Sequence, residues 1–170
     1  MADTALQRLN MVESQVRPSD VTDRRVLRAM AHVPRERFVI TSLRSIAYSD
    51  GPIRVSDQPP RYLLAPRTLG KIVQLLELSS SDIVLVLGCA TGYSTAIIAQ
   101  IAQSVVAVEV DQALADKAQE LLADLGVSNA AFVAGPLREG KPGEGPFDAI
   151  LINGMVEEVP PALLDQLKDG

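Results

Sequence analysis

The feature that most constrains this chain is a run of small residues set between two hydrophobic patterns. Ile83 to Leu87 is uninterruptedly apolar, Gly88-Cys89-Ala90-Thr91-Gly92 follows at once, and Tyr93 opens a stretch with helical spacing. An apolar run ending in glycine predicts a buried strand, and the turn after it places the first backbone N–H groups of a helix where they face a bound anion or carboxylate. Similar β-branched runs recur at Val105 to Glu109, Ala131 to Ala134 and Ala149 to Ile152. Helical stretches separate them, from Tyr93 to Ile101 and from Gln112 to Leu125, the second stopped by Gly126 in the preferred cap position. This alternation is the signature of βαβ units around a mainly parallel sheet, an α/β fold of the Rossmann-like class. Pro160 to Leu167 reads as the helix after the fourth strand. Lys168-Asp169-Gly170 reads as the turn into a fifth strand, so the C-terminal strands of such a fold are expected to be missing.

Gly88, Ala90 and Gly92 are small enough for a ligand to approach the loop closely. A dinucleotide fingerprint would want a third glycine at Tyr93, whose ring is too bulky for the close helix packing that glycine allows. The spacing therefore favours S-adenosyl-L-methionine over a nicotinamide dinucleotide. Further on, "VVAVEVD" ends a second strand with Glu109, placed as the acid that accepts hydrogen bonds from ribose hydroxyls. The candidate cofactor-binding residues are thus Gly88, Cys89, Ala90, Thr91, Gly92, Tyr93 and Glu109. Asn153 and Gly154, at the carboxyl end of the fourth strand, are expected to line the pocket. The plainer alternative is a tight strand-to-helix turn with a solvated acid beyond it.

The first half is organised differently. Leu6, Leu9, Val12 and Val16 fall at helical spacing, Thr4 and Gln7 match a capping box, and Pro18 closes the segment. A second helix is predicted from near Thr22, with Val26, Leu27, Met30 and Val33 on one face and Pro34 at its end. Gly51, Pro52, Pro59, Pro60 and Pro66 mark residues 49 to 66 as a structured loop. Leu69, Ile72, Val73 and Leu76 then restore helical spacing. The expected organisation is a helical and loop segment over residues 1–78 and a Rossmann-like core over residues 79–170, together one structural domain.

Composition narrows the partners. Sixteen basic against 21 acidic side chains give a net charge of −5, which leaves no basic surplus for a phosphate backbone, so nucleic acid is not an expected partner. No apolar run approaches the roughly 20 residues that span a bilayer, and the polar N-terminus lacks a signal-peptide pattern. The lone Cys89 forms no internal disulfide, consistent with a cytoplasmic home. His32, the only histidine, has no Cys or Asp at metal spacing and reads as a helix-end residue, so no metal is expected. Glu157 and Glu158, before a proline turn, read as solvent-facing.

Taken together, "MVESQVRPSDVTDRRVLRAMAHVPRERFV", "AYSDGP", "GYST", "VEVD", "GPFDAILING" and "EEVPPALLDQLKDG" resemble the protein-L-isoaspartate O-methyltransferase family along the whole chain. The N-terminal motifs separate it from generic methyltransferases. The resemblance implies methyl transfer from S-adenosyl-L-methionine to the α-carboxylate of isoaspartyl residues in damaged peptides and proteins. It also exposes departures. The family's Thr-Ile-Ser-Gln-Pro-Tyr segment, whose serine lies near the reacting carboxylate, aligns with Tyr62-Leu63-Leu64-Ala65-Pro66-Arg67, so Leu64 stands for the serine. Ser56 is a second candidate eight positions earlier, and Arg61 and Arg67 are candidates to bind a carboxylate bidentately. Val86 and Pro136 stand where the family carries acids, and Ala90 replaces the middle glycine. A family member that is non-catalytic, or acts on another carboxylate, is the alternative these changes leave open. A nicotinamide-dependent oxidoreductase rests only on the loop and acid.

Overall fold

The computed structural model describes residues 3–58 and 60–169; Pro59 and Gly170, both singled out above, lie outside the described residues. The chain forms two compact units, residues 1–77 and 78–170.

In the first unit, α1 (Thr4–Met11) runs into a π-helical turn, Val12–Val16, and α2 spans Arg24–His32. The cap of α1 is Asp3 and not the Thr4 box: its carboxylate accepts from the Ala5 and Leu6 amides at 3.0 and 3.3 Å. Aspartate is as good an N-cap as threonine or better, and it precedes the helix by one residue. Asp23 caps α2 in the same way. The predicted face of α2 is buried, with Val26, Leu27, Met30 and Val33 all at or below 5% exposure. After two 3-10 turns, the proline-rich stretch contains an antiparallel hairpin, β1 (Ile53–Asp57) and β2 (Pro60–Leu63), where a loop was expected. Ile53, Val55 and Leu63 turn inward. Pro60 opens the second strand, a position that asks no N–H of it. Helix α3 (Pro66–Leu75) begins on Pro66, as the sequence predicts. Gly70 is where it packs closest, because a Cβ there would sit 2.8 Å from Val16 Cγ1. Gln74 of α3 accepts from the Thr22 and Asp23 amides and donates to the Asp20 carbonyl, fastening the start of α2.

The second unit is a four-stranded parallel sheet in the order β5-β4-β3-β6. Its strands are β3 (Ile83–Leu87), β4 (Ser104–Glu109), β5 (Ala130–Ala134) and β6 (Ala149–Ile152), with α4 (Tyr93–Ala99) and α5 (Gln112–Asp124) making the crossovers. The predicted helix over 160–167 shortens to α6 (Pro161–Leu164). Beyond it Leu167 makes a single parallel bridge to Phe147, at the foot of β6. Leu85, Leu87, Val106, Val108, Phe147 and Leu163 form the core of one sheet face. At the amino ends of the strands the Asp148 carboxylate accepts from the Ile83 amide at 2.7 Å and from Lys168 Nζ at 2.7 and 2.8 Å. The Ile83 amide first, then Lys168, hold this carboxyl below its usual range.

Candidate cofactor site

From β3 the chain proceeds to β4 and β5 on one side, then returns to place β6 on the other. The reversal leaves a crevice at the carboxyl ends of β3 and β6, the position where open α/β sheets bind ligands. The loop Gly88 to Gly92 leaves β3 at this crevice and Asn153 leaves β6 there.

The loop is built on left-handed backbone: φ is +71° at Gly88, +50° at Ala90 and +91° at Gly92. Its small residues serve different ends. At Gly92 an added Cβ would meet Leu122 Cδ1 and Phe132 Cζ at 3.1 Å and Ala118 Cβ at 3.3 Å, so that glycine lets α5 and β5 close against the turn. At Gly88 an added Cβ would make only ordinary contacts, with Leu137 Cδ1 at 3.6 Å and the Asn153 carbonyl oxygen at 3.8 Å, so the positive φ and not crowding is what favours glycine there. Four loop amides bond within the unit, where the motif suggests they face a ligand, the Cys89 amide reaching the Val108 carbonyl at 3.5 Å. The Gly88 amide donates to the Val108 carbonyl at 2.8 Å and the Gly92 amide to the Cys89 carbonyl at 2.8 Å. The Ala90 amide donates to Glu109 Oε2 at 2.9 Å.

Glu109 is fully buried, and its Oε1 accepts from the Val110 amide at 2.9 Å. Thus the structure brings the predicted acid and the predicted loop together, but through a direct bond that ties the end of β4 to the loop. Cys89 and Tyr93 are buried as well, and Thr91 is partly covered.

Asn153, expected from the sequence to line the pocket, also makes contacts the sequence did not reveal. Its Nδ2 donates to the Gly88 carbonyl and to Ser94 Oγ, both at 3.1 Å, while its own amide donates to the Leu87 carbonyl at 2.9 Å. It therefore clasps both ends of the loop across the switch point. Its Oδ1 is buried and, among the described residues, lacks a hydrogen-bond partner. The only signal in the sequence is a polar residue directly after an apolar strand.

Beside the crevice lies a cavity of about 340 Å³, bordered by Leu87, Ile152, Arg138, Glu157 and Glu158. The two glutamates face this space as well as solvent. A second cavity, about 570 Å³, adjoins Gly135, Pro136 and Lys141 and does not touch the glycine loop. Among the described residues no cluster of three or more metal-ligating side chains occurs. His32 is exposed at the end of α2.

Within the first unit, Leu64 is half-buried and its carbonyl accepts from Arg35 NH2 at 2.9 Å. Arg35 is fully buried and also donates through Nε to the Ala47 carbonyl at 2.8 Å, bracketing the hairpin. Ser56 lies within β1, opposite Arg61. Arg67 pairs with Asp50 at 3.4 Å on the surface, and Arg61 donates to the Pro60 carbonyl.

Known proteins agree with this architecture. A solved protein-L-isoaspartate O-methyltransferase superposes with a TM-score of 0.86 over 98% of this chain and 53% of its own, at 26% identity. A second, from Plasmodium falciparum in complex with S-adenosyl-L-homocysteine, superposes at 0.79 over 95% of this chain and 80% of its own, at 21% identity. The fold is therefore that of the Rossmann-like methyltransferases. The protein-family model described as Protein-L-isoaspartate(D-aspartate) O-methyltransferase (PCMT) matches residues 7–170. The chain belongs to this family, whose members use S-adenosyl-L-methionine. Protein-L-isoaspartate O-methyltransferase 2 of Shewanella sediminis is 40% identical over 163 residues, which cover 96% of this chain and 66% of that protein. The chain thus spans just under two thirds of that relative and about half of the first solved structure.

Proposed function

We propose that the chain is a protein carboxyl methyltransferase acting on isoaspartyl residues. The observation that carries this is the Asn153 clasp on Gly88 and Ser94, which holds the glycine loop at the switch point of a chain matching the family over residues 7–170. Gly88 at the carboxyl end of β3, the unpartnered acceptor of Asn153, and Glu109 at the end of β4 fit S-adenosyl-L-methionine. Acceptors suit its cationic methionine portion and an acid suits its ribose. The predicted set Gly88, Cys89, Ala90, Thr91, Gly92, Tyr93 and Glu109 forms part of the same proposal, with Asn153 added. Glu109 would have to share Oε2 between the Ala90 amide and a ribose hydroxyl.

S-adenosyl-L-methionine, when bound, would supply an electrophilic methyl carbon to a carboxylate oxygen, the C–S bond breaking as the C–O bond of the ester forms and the thioether leaving as S-adenosyl-L-homocysteine. No proton moves, so the chain needs neither acid nor base for this step. Its contribution is to hold the two reactants in line, an effect worth several kcal/mol or more in well-oriented systems. Within the first unit, Arg35 fixes the backbone at Leu64, a residue that carries no hydroxyl. A cytoplasmic location belongs to the same proposal, supported by the single, buried Cys89. Among the described residues no helix is long and apolar enough to cross a membrane.

A second reading, a member that keeps the fold without methylating isoaspartate, is favoured by Leu64 and by the full burial of Glu109. Two measurements separate them. Calorimetry with S-adenosyl-L-methionine on wild type and Glu109→Ala is expected to show binding that the substitution weakens. Labelled methyl donor with an isoaspartyl peptide is expected to yield a base-labile methyl ester. Donor binding without ester formation establishes the second reading.

A further inference from the structure

The N-terminal unit carries a groove separate from the site described above. A cavity of about 420 Å³ opens between α1, the π-helical turn and α2, with Leu9, Leu27 and Ala31 on its floor. That volume lies in the range that receives a small ligand or a few side chains. Leu9 is 49% exposed, an apolar side chain left uncovered beside the buried Leu27. On the rim, Arg17 and Glu13 neutralise each other through paired bonds of 2.8 and 2.9 Å. Arg24 and Arg28 also line the groove, one helical turn apart on α2. Neither has a hydrogen-bond or ion-pair partner among the described residues, whereas Arg25, between them in sequence, is held by Asp23 at 2.7 Å. The surplus extends beyond this pair. Residues 1–77 carry 12 basic against 8 acidic side chains, a net of +4, and residues 78–170 carry 4 against 13, a net of −9.

We propose that this groove binds an acidic segment of a polypeptide, with an apolar side chain on the floor and two carboxylates on Arg24 and Arg28. The spacing suits it. Residues four apart on a helix are separated by about 6 Å along the axis, and alternate residues of an extended segment by about 6.5–7 Å on one face. Guanidinium groups take carboxylates through paired donors. A nucleic-acid backbone fits less well, since it brings no aliphatic side chain to the floor, meets Glu13 on the rim and faces a whole-chain charge of −5. This binding goes beyond carboxyl methylation and does not depend on it.

The test uses the full chain and a fluorescent peptide with glutamates at alternate positions followed by leucine on the same face, without isoaspartate. Anisotropy is expected to show saturable, salt-sensitive binding. R24E/R28E is expected to weaken it about tenfold or more, and R24K/R28K, which keeps the charge, to retain most of it. Replacing the peptide's leucine by serine is expected to weaken it severalfold. R24Q/R28Q supplies the same loss of binding if charge reversal disturbs folding by circular dichroism. Equal binding of a glutamine-for-glutamate peptide, or unchanged affinity in both R24E/R28E and R24Q/R28Q, overturns the proposal. So does an oligonucleotide that binds more tightly than the peptide and loses affinity in the same variants. Methyl-donor calorimetry on the same samples is expected to be unaffected, which keeps this outcome distinct from that of the cofactor site.

Discussion

Ala90 holds φ at +50° with a side chain that disfavours it, whereas Gly92 holds +91° where a Cβ would crowd Leu122 and Phe132 at 3.1 Å. The two positions therefore respond oppositely to exchange. A left-handed non-glycine residue costs roughly 1–2 kcal/mol, and glycine returns part of that through a more flexible unfolded chain. Ala90→Gly is expected to stabilise the fold by about 0.5–1 kcal/mol in urea unfolding. Gly92→Ala combines the backbone penalty with contacts of 3.1 Å and is expected to cost about 2 kcal/mol or more. Asn153→Ala removes two side-chain bonds and leaves the Gly88 carbonyl without that donor, for an expected loss of about 1–3 kcal/mol. It should also weaken methyl-donor binding in calorimetry. From the sequence, these small residues look alike, because the string records size but not the sign of φ or the identity of the nearest neighbour. Glu109 was legible as an acid at the end of β4, near the loop. Its bond to Ala90 was not, since that contact depends on how β4 ends against the loop.

At the scale of elements, helices and central strands follow directly from apolar spacing, and β3 and β6 fall on the residues predicted from it. The hairpin did not follow, because its prolines mask a short alternation of inward Ile53, Val55 and Leu63. One tie between elements of the first unit has a pH signature. Tyr48 donates a hydrogen bond to Glu36, with Arg8 close to both. Burial first, then the Glu36 carboxylate, pushes the phenol well above its ordinary value of 10.0. With the folded value raised, the stability it confers is complete below pH 10 and is lost as pH rises above it. Tyr48→Phe is expected to cost about 1–3 kcal/mol at neutral pH and to flatten that alkaline loss, measured by urea unfolding between pH 8 and roughly pH 11. The Asp148 tie acts with the opposite sign. Its carboxyl is lowered from 3.8, so its contribution is present above that pH and fades as pH falls through the folded value. Lying at the surface, it is worth about 1 kcal/mol or less, and Asp148→Asn should remove that acid-side loss.

For the whole molecule, strand order is the property that sequence alone left unspecified. Alternating β and α segments imply a parallel sheet, but the placement of β6 beside β3, which creates the crevice, depends on pairing between residues more than 60 positions apart. That same order leaves β6 at the border of the sheet, where among the described residues its outer side meets only the Phe147–Leu167 bridge. Beyond β6 the chain exposes Met155 fully, Val156, Val159 and Leu164 by about half. An open parallel edge next to exposed apolar side chains is a template for pairing with another chain, and natural sheets normally cover or charge such an edge. The 170-residue chain is therefore expected to self-associate as its concentration rises, through this edge. Val159→Lys combined with Leu164→Lys places two charges in the exposed apolar segment after β6, at positions already about half exposed, so the melting temperature should change little while light scattering shifts toward the monomer. Persistence of the same association in the double variant would move the contact elsewhere, to the uncovered apolar floor beside Leu9 or to attraction between the +4 and −9 halves of different copies. Added salt separates those two, because it weakens the charge attraction and leaves apolar pairing intact.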